Sequence, residues 1–387
     1  MPCLPKTAAI ILAAGFSSRM GAFKPLMSLG SRTVLDRVVD LYVQAGIADI
    51  RVVTGHRSGD IRSALAGRPL TVLDNPNYAG GMYSSVVAGV QSLPATTESF
   101  CVHPVDIPLV RPHTIRTLVS VASQARATVT VPTFDGQRGH PPLIHSEAVP
   151  AIVAHDGSGG LRSVLGRFES DTRLVPVADQ GILLDLDRPE DARALTARLE
   201  RSHFLTLEEG RVLLRSVLRL PAPVDAHCMA VAQVAQALAR AVNRGGCHVD
   251  IGLITAAARV HDLAKDQPDH AQAGAGLLRE MGFPAVADIV AVHMDLAART
   301  DDPLDAAQIV HLADKLVAGD AVVGLAQRFD AKLKKYGRDP DIAARIRKRK
   351  QAALMIEEKI VHCTGNTLAE ILQQAGVTGG SEVCRPS

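Results

Sequence analysis

Tryptophan is absent from this 387-residue chain, and aromatic residues make up only 3% of it. A surface that stacks unpaired bases on aromatic rings is hard to build from so few. An excess of either charge is missing too. Lysine and arginine total 42 against 40 aspartates and glutamates, which gives no field that would favour nucleic acid as the main partner. No apolar run is long enough to cross a bilayer, and the N-terminus lacks a charged-then-apolar signal. These absences predict a cytoplasmic chain with neither a membrane nor a nucleic-acid partner. Among the six cysteines (Cys3, Cys101, Cys228, Cys247, Cys363, Cys384) there is no Cys-x-x-Cys pair, which argues against a zinc ribbon or a disulfide framework and for reduced thiols.

What is present begins at residues 8–12, an apolar run of the kind that forms a fully buried strand. It stops at Leu12-Ala13-Ala14-Gly15, where side chains shrink and backbone N–H groups can approach an anion closely. Two hydroxyls (Ser17, Ser18) and two cations (Arg19, Lys24) follow. A bare turn would leave Arg19 and Lys24 as solvated charges, whereas the combined pattern makes a cradle for a nucleoside triphosphate. Neither a P-loop nor a Gly-x-Gly-x-x-Gly dinucleotide fingerprint is present.

Strand-like and helix-like segments then alternate to about residue 199. Strands are predicted at 49–54, 70–73, 99–103 and 127–131, and helices at 33–45, 59–66, 84–92 and 112–125. Such alternation predicts a mostly parallel sheet covered by helices, with ligands at the carboxyl ends of its strands. His103-Pro-Val-Asp-Ile-Pro108 puts Asp106 just past one of them, where an acid can hold magnesium or simply cap a turn.

The opening pattern, Leu-Ala-Ala-Gly-x-Ser-x-Arg-Met-Gly-x-x-Lys-x-Leu, resembles the signature of nucleotidyltransferases that act on the molybdenum cofactor, especially the cytidylyltransferase branch. Asp106 resembles the metal-binding acid of that family, although Val105 and Ile107 stand where the family more often has Gly and then Gln or Met. Gly80-Gly-Met-Tyr-Ser-Ser85 resembles its second glycine-bearing loop, which implies that Gly80, Ser84 and Ser85 help surround base and ribose. Gly139-His-Pro-Pro142 resembles the turn near the acceptor, and Leu184-Asp-Leu-Asp-Arg-Pro-Glu-Asp191 the closing segment, with Asp187 as a second metal ligand. The resemblance spans residues 5–200. It implies a Rossmann-like domain over 1–201 in which Leu12, Ala13, Ala14, Gly15, Arg19 and Lys24 hold the nucleotide. Arg19, Lys24 and Mg2+ on Asp106 would offset charge as an acceptor phosphate attacks the α-phosphorus and pyrophosphate leaves. The Leu-Ala-Ala-Gly version favours CTP over GTP, and molybdopterin is the implied acceptor, with a molybdoenzyme or its chaperone as a possible protein partner.

Beyond residue 199 the strands give way to segments of helical spacing (208–218, 226–242, 251–260, 271–281), punctuated by prolines and Gly245-Gly246. This predicts an all-α domain over 202–387. The basic run 345–350 reads as a solvated helix face. His227, His261-Asp262 and Asp314 occur in the order of an imidazole–carboxylate set that suits zinc, iron, manganese or nickel. They resemble the HD-domain phosphohydrolases, as do Val260-His-Asp-Leu-Ala-Lys265 and Ala313-Asp-Lys315. His270 and His293 stand where several members carry further histidines, for a second metal or a substrate phosphate, and the resemblance lets Lys265 serve that phosphate too. The expectation is therefore a bifunctional enzyme, α/β plus all-α. The alternatives are a transferase for another phosphorylated small molecule or for GTP, and a helical half that binds a nucleotide to regulate rather than to hydrolyse.

Overall fold

The computed structural model describes residues 6–16, 20–125, 127–296 and 302–377. The chain parts into two compact units, Met1–Glu200 and Arg201–Ser387. Among the described residues no helix is long and apolar enough to cross a membrane.

The first unit is built on β1 (Thr7–Leu12), α1 (Val34–Ala45), β2 (Asp49–Thr54), β3 (Thr71–Asp74), α2 (Met82–Gln91), β4 (Ser99–Pro104), α3 (Pro112–Gln124), β5 (Val129–Phe134), β6 (Leu143–His145), β7 (Thr172–Pro176) and α4 (Pro189–Glu200). Strand order is β7-β5-β6-β4-β1-β2-β3. β1 pairs in parallel with both β2 and β4. The chain therefore winds outward from β1 in one direction, then crosses back to the other side at β4. That reversal leaves a crevice beyond the carboxyl ends of β1 and β4.

Alternation along the strands covers both faces. Ala8, Ile10 and Leu12 of β1, with Phe100 and Val102 of β4, pack in one cluster with Val86 and Val90 of α2. His103 points the other way, to Tyr42 of α1. α2 can lie this close because Gly89 has no side chain; a Cβ there would meet Ile10 Cγ2 at 2.4 Å. β6 differs from the parallel expectation. It runs antiparallel between β4 and β5, and three residues after a proline pair are too few to show a strand period.

The second unit is helical: α5 (Ala222–Arg244), α6 (Ile251–Val260), α7 (His270–Glu280), α8 (Pro284–Val292), α9 (Ala306–Lys315), α10 (Leu325–Tyr336) and α11 (Pro340–Thr364). The 208–218 segment is not one regular helix. A capping box of Thr206 and Glu209 starts Leu207–Val212, and a wider π turn follows over Leu213–Val217. A two-stranded hairpin, Val317–Ala318 with Ala321–Val322, follows α9 and was not legible in the sequence. Two of the scattered cysteines meet as free thiols, Cys247 Sγ lying 2.7 Å from Cys363 Sγ.

Candidate active sites

At the crevice of the first unit a cavity of about 330 Å³ is lined by Leu12, Ala13, Ala14, Gly15, Lys24 and Asp106, among others. Three local features shape it. The loop after β1 is tied to the one after β4 by Val105 N–H to Leu12 O, 3.1 Å. The Asp106 turn rests on His103, which is fully buried, takes the Tyr42 hydroxyl at Nδ1 and donates from Nε2 to Ile107 O, 2.9 Å each. Burial lowers His103 to about 4, so it holds that turn as the neutral ring. The 185–187 segment is pinned alongside by Leu186 N–H to Asp106 O, 2.8 Å.

Lys24 opens a short 3₁₀ turn stiffened by Pro25 and is only 12% exposed. Its Nζ sits 2.7 Å from Asp187 Oδ1 and 3.6 Å from Asp106 Oδ2. Burial raises the Asp106 carboxyl; Lys24 opposes this, while Asp187 and Asp185 add to the rise. Two acids thus share the field of one lysine, and the Asp106 carboxylate and Lys24 line the cavity. Such a donor set fits a magnesium ion, which prefers one or two carboxylates plus phosphate oxygens. A Cβ on Gly15 would meet nothing within 4 Å, so its smallness leaves room for a ligand rather than for protein packing.

The predicted nucleotide residues differ in how they meet this cavity. Ala13 lines it, yet its N–H is taken by Val53 O at 2.9 Å. From the second loop the walls are Ala79, Gly81, Met82 and Ser85, with Gly80 set back. Ser84 turns its hydroxyl into its own loop, 2.8 Å from Gly81 O. Arg19, Ser17 and Ser18 lie outside the described residues. Sequence reasoning missed Phe16 and Tyr78, which also line the cavity with ring centroids 5.2 Å apart. Aromatic content is a global signal and hides where the few rings converge.

The second unit gathers all of its predicted histidines and acids. α6 ends at Val260, so His261 and Asp262 leave the helix on a turn and can face one point despite being neighbours in sequence. His227 comes from α5 and Asp314 from α9. His227 Nε2 lies 3.3 Å from Asp314 Oδ1 and 3.8 Å from Asp262 Oδ2. His261 Nε2 lies 3.6 Å from Asp262 and 3.7 Å from Asp314. On the other side of Asp262, Oδ1 is 3.3 Å from His270 Nε2 and 3.6 Å from His293 Nε2. The ligand atoms of His227, His261 and Asp262, and likewise those of Asp262, His270 and His293, all lie within 4.8 Å of one another. Asp262 is shared by both triads.

Which nitrogen faces inward is set by the backbone. His227, His261 and His293 each donate from Nδ1 to a carbonyl, Gly319 O at 2.7 Å, Ala258 O at 2.8 Å and Val290 O at 2.7 Å. Fixing Nδ1–H this way turns Nε2 inward, the orientation in which a histidine binds a metal. Nε2 of His261, His270 and His293 and Oδ1 of Asp262 are buried without hydrogen-bond partners. Orphaned buried donors and acceptors are costly, and two divalent ions would satisfy them.

The charges agree with that fit. Burial pushes Asp262 up, but His270 and His293, with His261 and Lys265, hold its carboxyl well below the ordinary range. Burial likewise opposes ionisation of Asp314, and Lys315, His227 and His261 outweigh it. His261 is the exception: burial would strip its second proton, yet Cys228 and Asp314 favour keeping it, and a metal would have to displace that proton from Nε2. Lys265 reaches Asp262 Oδ2 at 2.6 Å from a half-exposed position. Cys228 and His311 were given no role in the sequence reading. His311 is fully buried and donates from Nδ1 to His293 O at 2.9 Å, and its helical spacing alone looks like core.

Comparison with known proteins supports two families. A profile described as MobA-like NTP transferase domain matches residues 9–173, and one described as HD domain matches residues 224–319. The molybdenum cofactor cytidylyltransferase of Escherichia coli (strain K12) is 30% identical over 183 residues, 47% of this chain and 91% of that protein. The bifunctional IPC transferase and DIPP synthase of Rubrobacter xylanophilus is 38% identical over 104 residues, 25% of this chain and 23% of that protein. Among solved structures, a nucleotidyl transferase from Methanothermobacter thermautotroptrophicus aligns over 51% of this chain and 98% of its own, with 24% identity and a TM-score of 0.45. The chain belongs to the MobA-like NTP transferase family, an enzyme whose transferase domain is followed in sequence by an HD domain.

Proposed function

We propose that the first unit transfers the cytidylyl group of CTP to a phosphorylated acceptor, most directly molybdopterin, with release of pyrophosphate, and that the second unit is a metal-dependent phosphohydrolase. The observation that carries the first reading is the placement of Lys24 between Asp106 and Asp187 beside a small-residue loop at the sheet's reversal point. Little covalent work falls on the protein in phosphoryl chemistry; alignment and charge neutralisation are what matter. Magnesium on Asp106 and Asp187 would neutralise charge on the phosphates. Lys24 then supplies a further cation from the same wall. Phe16 and Tyr78 offer apolar ring faces for the base, and Ser85, held by Asn75 Nδ2 at 3.0 Å, presents a fixed hydroxyl. Resemblance over 91% of the cytidylyltransferase of Escherichia coli is what favours CTP and this acceptor.

In the second unit, His227, His261, Asp262 and Asp314 would hold one divalent ion, and Asp262, His270 and His293 a second, manganese, iron, zinc or nickel by donor type. Such ions supply an acidified water and polarise a phosphate ester or anhydride. The chain's own part is to fix each imidazole's tautomer through backbone carbonyls and to keep both acids ionised. The unpartnered Nε2 atoms favour hydrolysis over a purely regulatory nucleotide site, because a nucleotide pocket has no use for buried lone pairs aimed at each other. The test is metal analysis with turnover of a panel of phosphate esters and nucleotides. Wild type should carry transition metal, Asp262→Ala should lose it, and hydrolysis should disappear with it. Metal-free wild type after reconstitution would count against the reading.

A further inference from the structure

A group of cations in the second unit is not used by metal binding. α10 carries Arg328 and Lys332, four residues apart and so neighbours on one helix face. That face is turned toward the metal acid of α9: Arg328 Nη2 lies 4.0 Å from Asp314 Oδ1. Lys332 shares its surroundings with Arg328, with Lys315 and Asp314 of α9, and with Arg349 of α11. Carboxylate is scarce here. Asp314 already accepts from Lys315 Nζ at 2.5 Å and faces His227 at 3.3 Å. Arg349 is committed to Asp295 by bonds of 2.7 and 2.8 Å. Arg328 Nε is buried with no hydrogen-bond partner, on a side chain only 16% exposed. Burial, then Arg328 and Lys315, pull Lys332 down to about 8, with Asp314 opposing.

Cations gathered around one already engaged carboxylate repel one another, and a further anion among them relieves that repulsion. Arg offers a planar fork that matches phosphoryl oxygens, and Lys adds a mobile point charge. Their place beside Asp314 puts such an anion next to the ions this acid would hold. We propose that Arg328 and Lys332 form an anion subsite that grips a phosphoryl group of the substrate against the metal centre of the HD unit. The proposal rests on the hydrolase reading above and narrows it to a substrate with a terminal phosphate, either a diphosphate or a phosphomonoester.

The test is calorimetric titration of full-length, manganese-loaded protein with inorganic pyrophosphate and with CMP. A Lys24→Gln, Asp106→Asn background keeps the first unit from binding either probe tightly. Adding Arg328→Gln and Lys332→Gln should weaken at least one probe by about tenfold or more, as expected for losing charge-assisted hydrogen bonds, with manganese content unchanged. Weakening confined to pyrophosphate assigns a diphosphate substrate; weakening of CMP assigns a monoester. Affinities unchanged within about twofold for both probes, or no binding of either by the parent, would overturn the subsite. If the double variant loses manganese, Lys332→Met alone makes the same comparison. Absence of turnover in wild type would strike the hydrolase reading separately, since anion binding is read without it.

Discussion

Lys24 stands 2.7 Å from one carboxylate and 3.6 Å from another, and its charge is the part of the first site that a single substitution removes most cleanly. Lys24→Ala should lower kcat for nucleotidyl transfer by about 10²–10³, the range for losing one preorganised charge-stabilising group, with steady-state kinetics as the check. His103 predicts a pH effect on stability. Its folded pKa is depressed to about 4 by burial, below the ordinary 6.5. Below about pH 6.5 the unfolded chain therefore takes up a proton that the fold refuses, and stability is lost as pH falls toward 4. Denaturant titrations at pH 7 and pH 5 should differ by about 2 kcal/mol more in wild type than in His103→Gln. At this scale the sequence pointed to side chains that the fold brings together, but not to how each is presented. That His261 points Nε2 inward follows from a bond to Ala258 O, three residues back, and no spacing rule states it.

Between elements, two contacts decide whether the sites are held. Asp225, 2% exposed on α5, bonds Arg259 of α6, which is fully buried, and takes Arg215 Nε at 2.5 Å. This pair couples the helix that supplies His227 to the one that ends just before His261. Asp225→Ala should cost about 3–5 kcal/mol, because it strands a buried guanidinium, measured as a shift in the denaturant midpoint. In the first unit, Gly89→Ala should cost about 1–3 kcal/mol by pressing a methyl against Ile10 and Val53 and lifting α2 from the sheet. Long periodic elements were legible: α1 and β2 lie where helix and strand periods placed them. Short ones were not. β6 has three residues and the hairpin after α9 has two per strand, below any period, and both are defined by long-range partners.

Taken as a whole, the molecule sets a transferase domain and an HD domain in two compact units, the first with Lys24 between two acids and the second with two groups of side chains that fit metal ions. The motifs Leu-Ala-Ala-Gly and His-Asp were legible because both chemistries need fixed residue types at short spacing. Phe16 with Tyr78, and Arg328 with Lys332, were not, since their meaning lies in what surrounds them across the fold. The most direct measurement of the central claim is the initial rate of pyrophosphate release with magnesium and molybdopterin, run with each of the four nucleoside triphosphates. Release should be fastest with CTP and should fall sharply in Lys24→Ala. No release with any triphosphate, from protein shown to be folded, would contradict the account.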